Sequence, residues 1–241
     1  MSNDYFRFKR FCIQQGRSAM KVGTDGVLIG AWCSIPDGTK QVLDIGCGSG
    51  LISIMLAQRT EQTKAYVKAI DIDPESVAQA IENVGTSDWP ERVSVECVSL
   101  QEYSKRDEQL FDLIVSNPPF FVDSLKAPDK ARNNSRHCDT LSHEELLRCS
   151  SKLLAEGGVL AVVLPSAEAQ RLVELSAVYG MYPSRICSVK STERKDEIRR
   201  LVELVKSSTW HECRNTSLCI HAGSDYSEEY KALTKDFYLK F

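Results

Sequence analysis

Metal-ligand spacing is missing from this chain. The four histidines, His137, His143, His211 and His221, show no ligand pattern, and the nine cysteines contain no CxxC pair. Neither a metal centre nor a disulfide framework is expected. Cys97, Cys187 and Cys219 stand in apolar runs, where a free thiol behaves as a small hydrophobe. No apolar run approaches the roughly 18 residues of a membrane span. The opening MSNDYFRFKRF lacks the apolar centre of a signal peptide, so a cytoplasmic protein with no membrane attachment is expected. The net charge of −3 excludes a polycation, and any nucleic-acid contact must come from local patches. Repeats, low-complexity tracts and clear linkers are also absent. One domain over 1–241 is expected, with 1–40 as an N-terminal extension over the site and 41–241 as the core.

What is present is alternation. Short β-rich apolar runs occur at 41–45, 65–71, 93–97, 113–116, 159–164, 183–189, 201–206 and 216–220. Helical patterns fall at 26–32, 50–59, 74–84, 142–154 and 167–179. Strands that each precede a helix imply parallel pairing in a doubly wound, Rossmann-like α/β sheet. The last two runs are joined by SSTWHECRN with no helix pattern, which predicts an antiparallel hairpin at the carboxyl end. No protein partner is implied.

Residues 42–50 read VLDIGCGSG. A buried strand ends near Asp44, and Gly46, Gly48 and Gly50 precede a helix. Glycines there permit positive φ and close approach of a ligand to backbone. Asp71 ends the next strand, where a carboxylate can accept both hydroxyl hydrogens of a ribose. The loop is GxGxG rather than the dinucleotide GxGxxG. Asp44 would repel a pyrophosphate but attract an ammonium. The pattern therefore suits S-adenosyl-L-methionine better than NAD.

Residues 111–121 read FDLIVSNPPFF. Proline ends the strand Leu113–Val115, because it lacks an N–H and restricts the residue before it. Asn117 and Pro118 leave the carboxyl end of that strand, where ligands bind in open α/β sheets. The Asn117 side-chain oxygen and the Pro118 carbonyl can accept the two N–H bonds of a planar amine. Pro118 and Pro119 stiffen those acceptors, and Phe120 offers a face on which a base can stack. Orientation and electrostatics then suffice for methyl transfer, without a strong base.

These residues resemble class I amino-methyltransferases with an (N/D)PP(Y/F/W) motif. AMKVGTDGVLIGAW (19–32), DIGCGSGLISIMLAQR (44–59), GGVLAVVLP (157–165) and YSEEYKALTKDFYLKF (226–241) carry a closer resemblance. Together with 111–121 they are similar to the bacterial tRNA1(Val) adenine-37 N6-methyltransferase family over nearly the whole chain. The resemblance implies a seven-stranded, mostly parallel sheet with an antiparallel carboxyl-terminal strand. It also implies S-adenosyl-L-methionine and methylation of the exocyclic amine of an adenine in tRNA. The expected cofactor set is Lys21, Gly23, Thr24, Asp25, Asp44, Gly46, Gly48, Gly50, Asp71, Ile72, Ser99, Leu100 and Asn117. Gly23–Asp25 would close over the methionine end. Phe120 stands where tyrosine is usual, and Ser99-Leu100 where relatives often carry an acid.

Two basic segments flank these motifs. Segment 5–21 carries Arg7, Lys9, Arg10, Arg17 and Lys21 with no acid; segment 126–137 carries Lys126, Lys130, Arg132 and Arg136 against Asp129. Both can neutralise phosphates. The mixed run KSTERKDEIRR (190–200) reads as a solvated loop, and the aromatic carboxyl-terminal run as packing on the sheet. Three other readings stand beside the tRNA one. They are a glutamine-amide protein methyltransferase, a methyltransferase for another RNA or DNA base amine, and a non-catalytic adenosylmethionine-binding RNA module.

Overall fold

The computed structural model describes residues 4–18, 20–106, 109–118, 141–210 and 212–241. The chain opens with a small antiparallel pair, β1 (Tyr5–Arg7) and β2 (Cys12–Gln14), then α1 (Thr24–Trp32). There follow β3 (Gln41–Ile45), α2 (Leu51–Arg59), β4 (Tyr66–Asp71), α3 (Pro74–Gly85), β5 (Val93–Cys97), α4 (Leu100–Tyr103) and β6 (Phe111–Ser116). The second half holds α5 (His143–Leu153), β7 (Leu154–Pro165), α6 (Ser166–Ser176), β8 (Met181–Thr192), β9 (Glu197–Lys206), β10 (Arg214–Ala222), β11 (Asp225–Tyr226) and α7 (Glu228–Thr234).

Among the described residues the main sheet has the order β11-β10-β8-β9-β7-β6-β3-β4-β5. Strands β5, β4, β3, β6 and β7 run parallel, and β9 lies antiparallel between β7 and β8. Those seven form the expected sheet, and β10 and β11 extend it beyond β8. The predicted carboxyl-terminal hairpin does not form. Both edges of β9 are already occupied, so residues 207–213 carry the chain past β8, and β10 pairs parallel to β8. A short helix-free connection looks the same in sequence whether it joins neighbours or skips a strand.

The central strands are buried on both faces, so they read as continuous apolar runs. Alternate residues serve opposite cores. Val42, Leu113, Val159 and Ala161 face α1, α2 and the amino-terminal pair. Leu43, Ile114, Leu160 and Val162 face α5 and α6. Local signals start the helices. Asp73 caps α3, accepting from the Ser76 N–H at 3.0 Å, with Pro74 in the first turn, where its missing N–H costs little. Ser142 and Glu145 form a reciprocal capping box on α5.

The run FRFKRF ends β1 and makes the connection to β2. Phe8, Phe11 and Ile13 are buried, and Phe8 stacks on Phe11 and Tyr238. The aromatic carboxyl-terminal run packs as expected: Tyr230 and Phe237 join the same core.

Candidate functional site

Strand order reverses between β3 and β6, each of which starts a series growing in opposite directions. A crevice opens at such a switch point beyond the carboxyl ends of the strands. The residues at the carboxyl ends of β3, β4 and β6 are the three motifs singled out above.

Gly46, Gly48 and Gly50 all have positive φ, at 70°, 53° and 82°, where side-chain-bearing residues are strained. Gly50 caps α2 from this conformation, and a Cβ there would stand 3.3 Å from the Ala80 Cβ. The loop is pinned to β4, because the Gly46 and Cys47 N–H groups donate to the Ile70 carbonyl at 2.9 and 3.1 Å. Asp71 accepts from the Gly48 N–H at 2.8 Å through one oxygen and from the Asp73 N–H at 2.9 Å through the other. Two backbone donors thus fix its orientation. A carboxylate has about four lone-pair positions, so capacity for a diol remains.

The Ser116 hydroxyl donates to the Ile45 carbonyl at 2.9 Å and ties the end of β6 to β3. The next residue, Asn117, has a buried side-chain oxygen with no hydrogen-bond partner among the described residues. Pro118 is buried beside it. Pro119, Phe120, Lys130, Arg132 and Arg136 lie outside the described residues.

The crevice has two lobes. One, of about 620 Å³, is lined by Asp71, Ile72, Ser99 and Leu100 with Val98 and Leu141. The other, of about 390 Å³, is lined by Lys21, Gly23, Thr24 and Asp25 on one side and by Val189, Ile198, Arg199 and Ile220 on the other. Met20, Gly46, Gly48 and Asn117 line both. The Ser99 hydroxyl accepts from the Glu102 N–H at 3.2 Å and caps α4. The Lys21 ammonium donates to the Gln15 carbonyl.

Asp44 lies elsewhere than expected. Period-two alternation sends its side chain to the α2 side with Val42, beneath the loop, and it lines neither lobe. It is fully buried, and one oxygen accepts from the Ser53 hydroxyl at 2.5 Å. Burial, reinforced by the Asp71 charge, pushes its carboxyl up to about 7. Unfolded, the group ionises near pH 4. Between about pH 4 and 7 the folded chain therefore binds the extra proton, and stability falls as pH rises through that window. Asp44→Asn should flatten this part of the profile. Melting curves from pH 5 to 8 check it, and parallel profiles for the two proteins would refute it.

Three of the proposed phosphate contacts are not brought to the crevice. Arg7 is exposed on β1. Lys9 donates to the Lys235 carbonyl at 2.5 Å and to the Phe241 carbonyl. Arg10 makes a two-pronged pair with Glu61 at 2.8 and 3.0 Å, reaches Asp88 at 3.2 Å, and lies 4.7 Å from the Trp89 ring centre. Lys9 and Arg10 meet Gln58 and Arg59 at the far end of α2 from the glycine loop, about 13 Å along the helix axis.

Two contributors were missed in the sequence. Asn83 on α3 donates to the Gln14 and Ser49 carbonyls, both at 2.8 Å, and accepts from the Gln14 N–H at 2.8 Å. It stitches the amino-terminal segment to the loop, and nothing in its sequence context marks it. The second is Arg199. The run 190–200 is not one solvated loop: β8 extends to Thr192 and β9 starts at Glu197. Arg199 donates from Nε to the Asp25 carboxylate at 2.8 Å at the wall of the smaller lobe.

A glycine loop after the first core strand, an acid closing the second, and Asn-Pro at the end of the fourth around one crevice define a class I methyltransferase. Residues 32–183 match the family model described as methyltransferase small domain. A tRNA1(Val) (adenine(37)-N6)-methyltransferase of Parabacteroides distasonis is 44% identical over 241 residues, covering all of both chains. The protein of the same name from Trichodesmium erythraeum is also 44% identical, again over the full length of both. A solved structure described as a predicted O-methyltransferase, from Agrobacterium tumefaciens, superposes with a TM-score of 0.68 at 17% identity. It covers 88% of this chain and 96% of that one, a likeness of fold. The chain belongs to the methyltransferase small domain family, together with these relatives.

Proposed function

We propose that this protein methylates the exocyclic N6 amine of adenine-37 in tRNA1(Val), using S-adenosyl-L-methionine, in the cytoplasm. The observation that carries this reading is the buried oxygen of Asn117, without a partner among the described residues, where two lobes meet. A buried acceptor without a donor is costly, and an amine N–H removes that cost. Transfer between two reactants needs two adjoining sites, and each lobe falls within the roughly 300–1,000 Å³ of small-ligand pockets. The full-length relatives carry the same activity in their names.

The residues fit the cofactor. Asp71 would take its ribose hydroxyls, and Ile72, Ser99 and Leu100 would enclose its adenine. Gly46 and Gly48, which line both lobes, would lie along its methionine part. Asp44 and Gly50 would act beneath the loop by holding its shape. Bound there, S-adenosyl-L-methionine supplies an electrophilic methyl group on a sulfonium. Asn117 and the Pro118 carbonyl orient the amine so that its lone pair turns out of conjugation, and Phe120 is the stacking face.

The test is methyl transfer to an unmodified tRNA1(Val) transcript with isotope-labelled cofactor, followed by mapping of the modified nucleoside. Label at N6 of adenine-37 is the expected result; transfer to a protein glutamine instead would overturn it. RNA affinity should also fall steeply with salt, by about 0.7–0.9 log units per log unit of salt for each phosphate held. Cofactor affinity should hardly move. A flat salt response of substrate binding would favour a protein substrate.

A further inference from the structure

We infer that Arg199, oriented by Asp25, grips a phosphate of the nucleotide whose amine is methylated. This rests on the tRNA reading above and adds a binding residue and a positioning residue to it. The two side chains come from opposite ends of the chain, Asp25 in the first turn of α1 and Arg199 on β9, yet they meet at 2.8 Å in the smaller lobe. Neither is buried away from it: their side chains keep 25% and 31% of their exposure.

The lobe assignment decides which reactant they meet. The larger lobe contains Asp71 and is by itself large enough for the cofactor. The smaller lobe, reached past Asn117, is left for the substrate. Its apolar wall of Val189, Ile198 and Ile220 suits the face of a base, and Arg199 adds a cation to that wall. Lys21 lines the lobe too and donates to the Gln15 carbonyl, but its compact ammonium is a point charge without a planar fork. A guanidinium presents planar, forked donors that match phosphate oxygens. The Asp25 carboxylate and the Ile198 carbonyl, which accepts from Nη1 at 2.9 Å, fix the plane of that fork.

The experiment compares wild type with Arg199→Ala, Arg199→Gln, Arg199→Lys and Asp25→Asn. It measures kcat and KM on the unmodified tRNA1(Val) transcript, calorimetric affinity for S-adenosyl-L-methionine, and RNA affinity across a salt series. Arg199→Ala should raise KM for tRNA by roughly 10- to 100-fold, with cofactor affinity within about twofold. Its salt slope should become shallower by about 0.7–0.9, the loss of one phosphate contact. Arg199→Lys should restore the slope and part of the affinity, because it keeps the charge without the fork. Asp25→Asn should raise KM less and keep the wild-type slope, a pattern that a purely structural role would not produce. Should Arg199→Ala fail to fold, Arg199→Gln must still show the shallower slope. Weakened cofactor binding with unchanged tRNA KM and slope would overturn the inference, as it would place the guanidinium on the methionine carboxylate. Unchanged values in every variant would overturn it too. A wild-type protein that does not methylate tRNA would instead remove the reading on which it rests.

Discussion

Alanine at position 117 slows methyl transfer by roughly 10²–10³-fold, the loss expected for one preorganised electrostatic partner. Asn117 lines both lobes, and its oxygen is held without a competing donor among the described residues. Removing it takes one acceptor from the amine and leaves the ribose acid and the glycine loop in place. Calorimetry should therefore find near wild-type cofactor affinity in the same variant. Asn117→Asp keeps an acceptor and adds a charge, so it should retain more activity than Asn117→Ala. Single-turnover rates with bound RNA separate these effects from substrate affinity. An Asn117→Ala protein working at the wild-type rate would make Asn-Pro a turn that only ends β6.

Asp71→Ala should weaken S-adenosyl-L-methionine binding by about 1.5–3 kcal/mol, the range for hydrogen bonds to a charged group. That is roughly a 10- to 150-fold rise in Kd. The structure adds a reason beyond the lost ribose contact. Gly48 and Asp73 both donate to this carboxylate, so its removal also frees the glycine loop from the start of α3. Asp71→Asn should rescue only part of the loss, since an amide has a single acceptor oxygen for two backbone donors. Titration calorimetry on the three proteins checks the order. Equal affinities would remove Asp71 from the cofactor site.

Much of this site was legible in the sequence because its signals are local. Positive φ at Gly46, Gly48 and Gly50 follows from a loop that must turn sharply between strand and helix. Asp71 and Asn117 lie at strand ends, and strand ends in this architecture share one edge. Asp44 was legible only in part. Its place in the motif suggested a ligand, whereas alternation along β3 sends it under the loop toward Ser53. Arg199 was not legible at all. It sits in a charged run that any solvated loop could carry, and its partner Asp25 is 174 positions away. The path of β10 was hidden for a similar reason, since skipping over β8 needs no special residue.

The amino-terminal aromatics Phe8 and Phe11 share one core with Tyr230 and Phe237, and this has a consequence for synthesis. At about 5–20 residues per second, the ribosome needs roughly ten to fifty seconds to deliver the carboxyl-terminal partners. For most of that interval the nascent amino-terminal segment carries bare aromatic surface. The early strands can pair behind it, but this packing can close only once Tyr230 and Phe237 have been made. Ribosome-bound fragments halted before α7 should therefore bind a chaperone at residues 5–13 and lose it when the final stretch emerges.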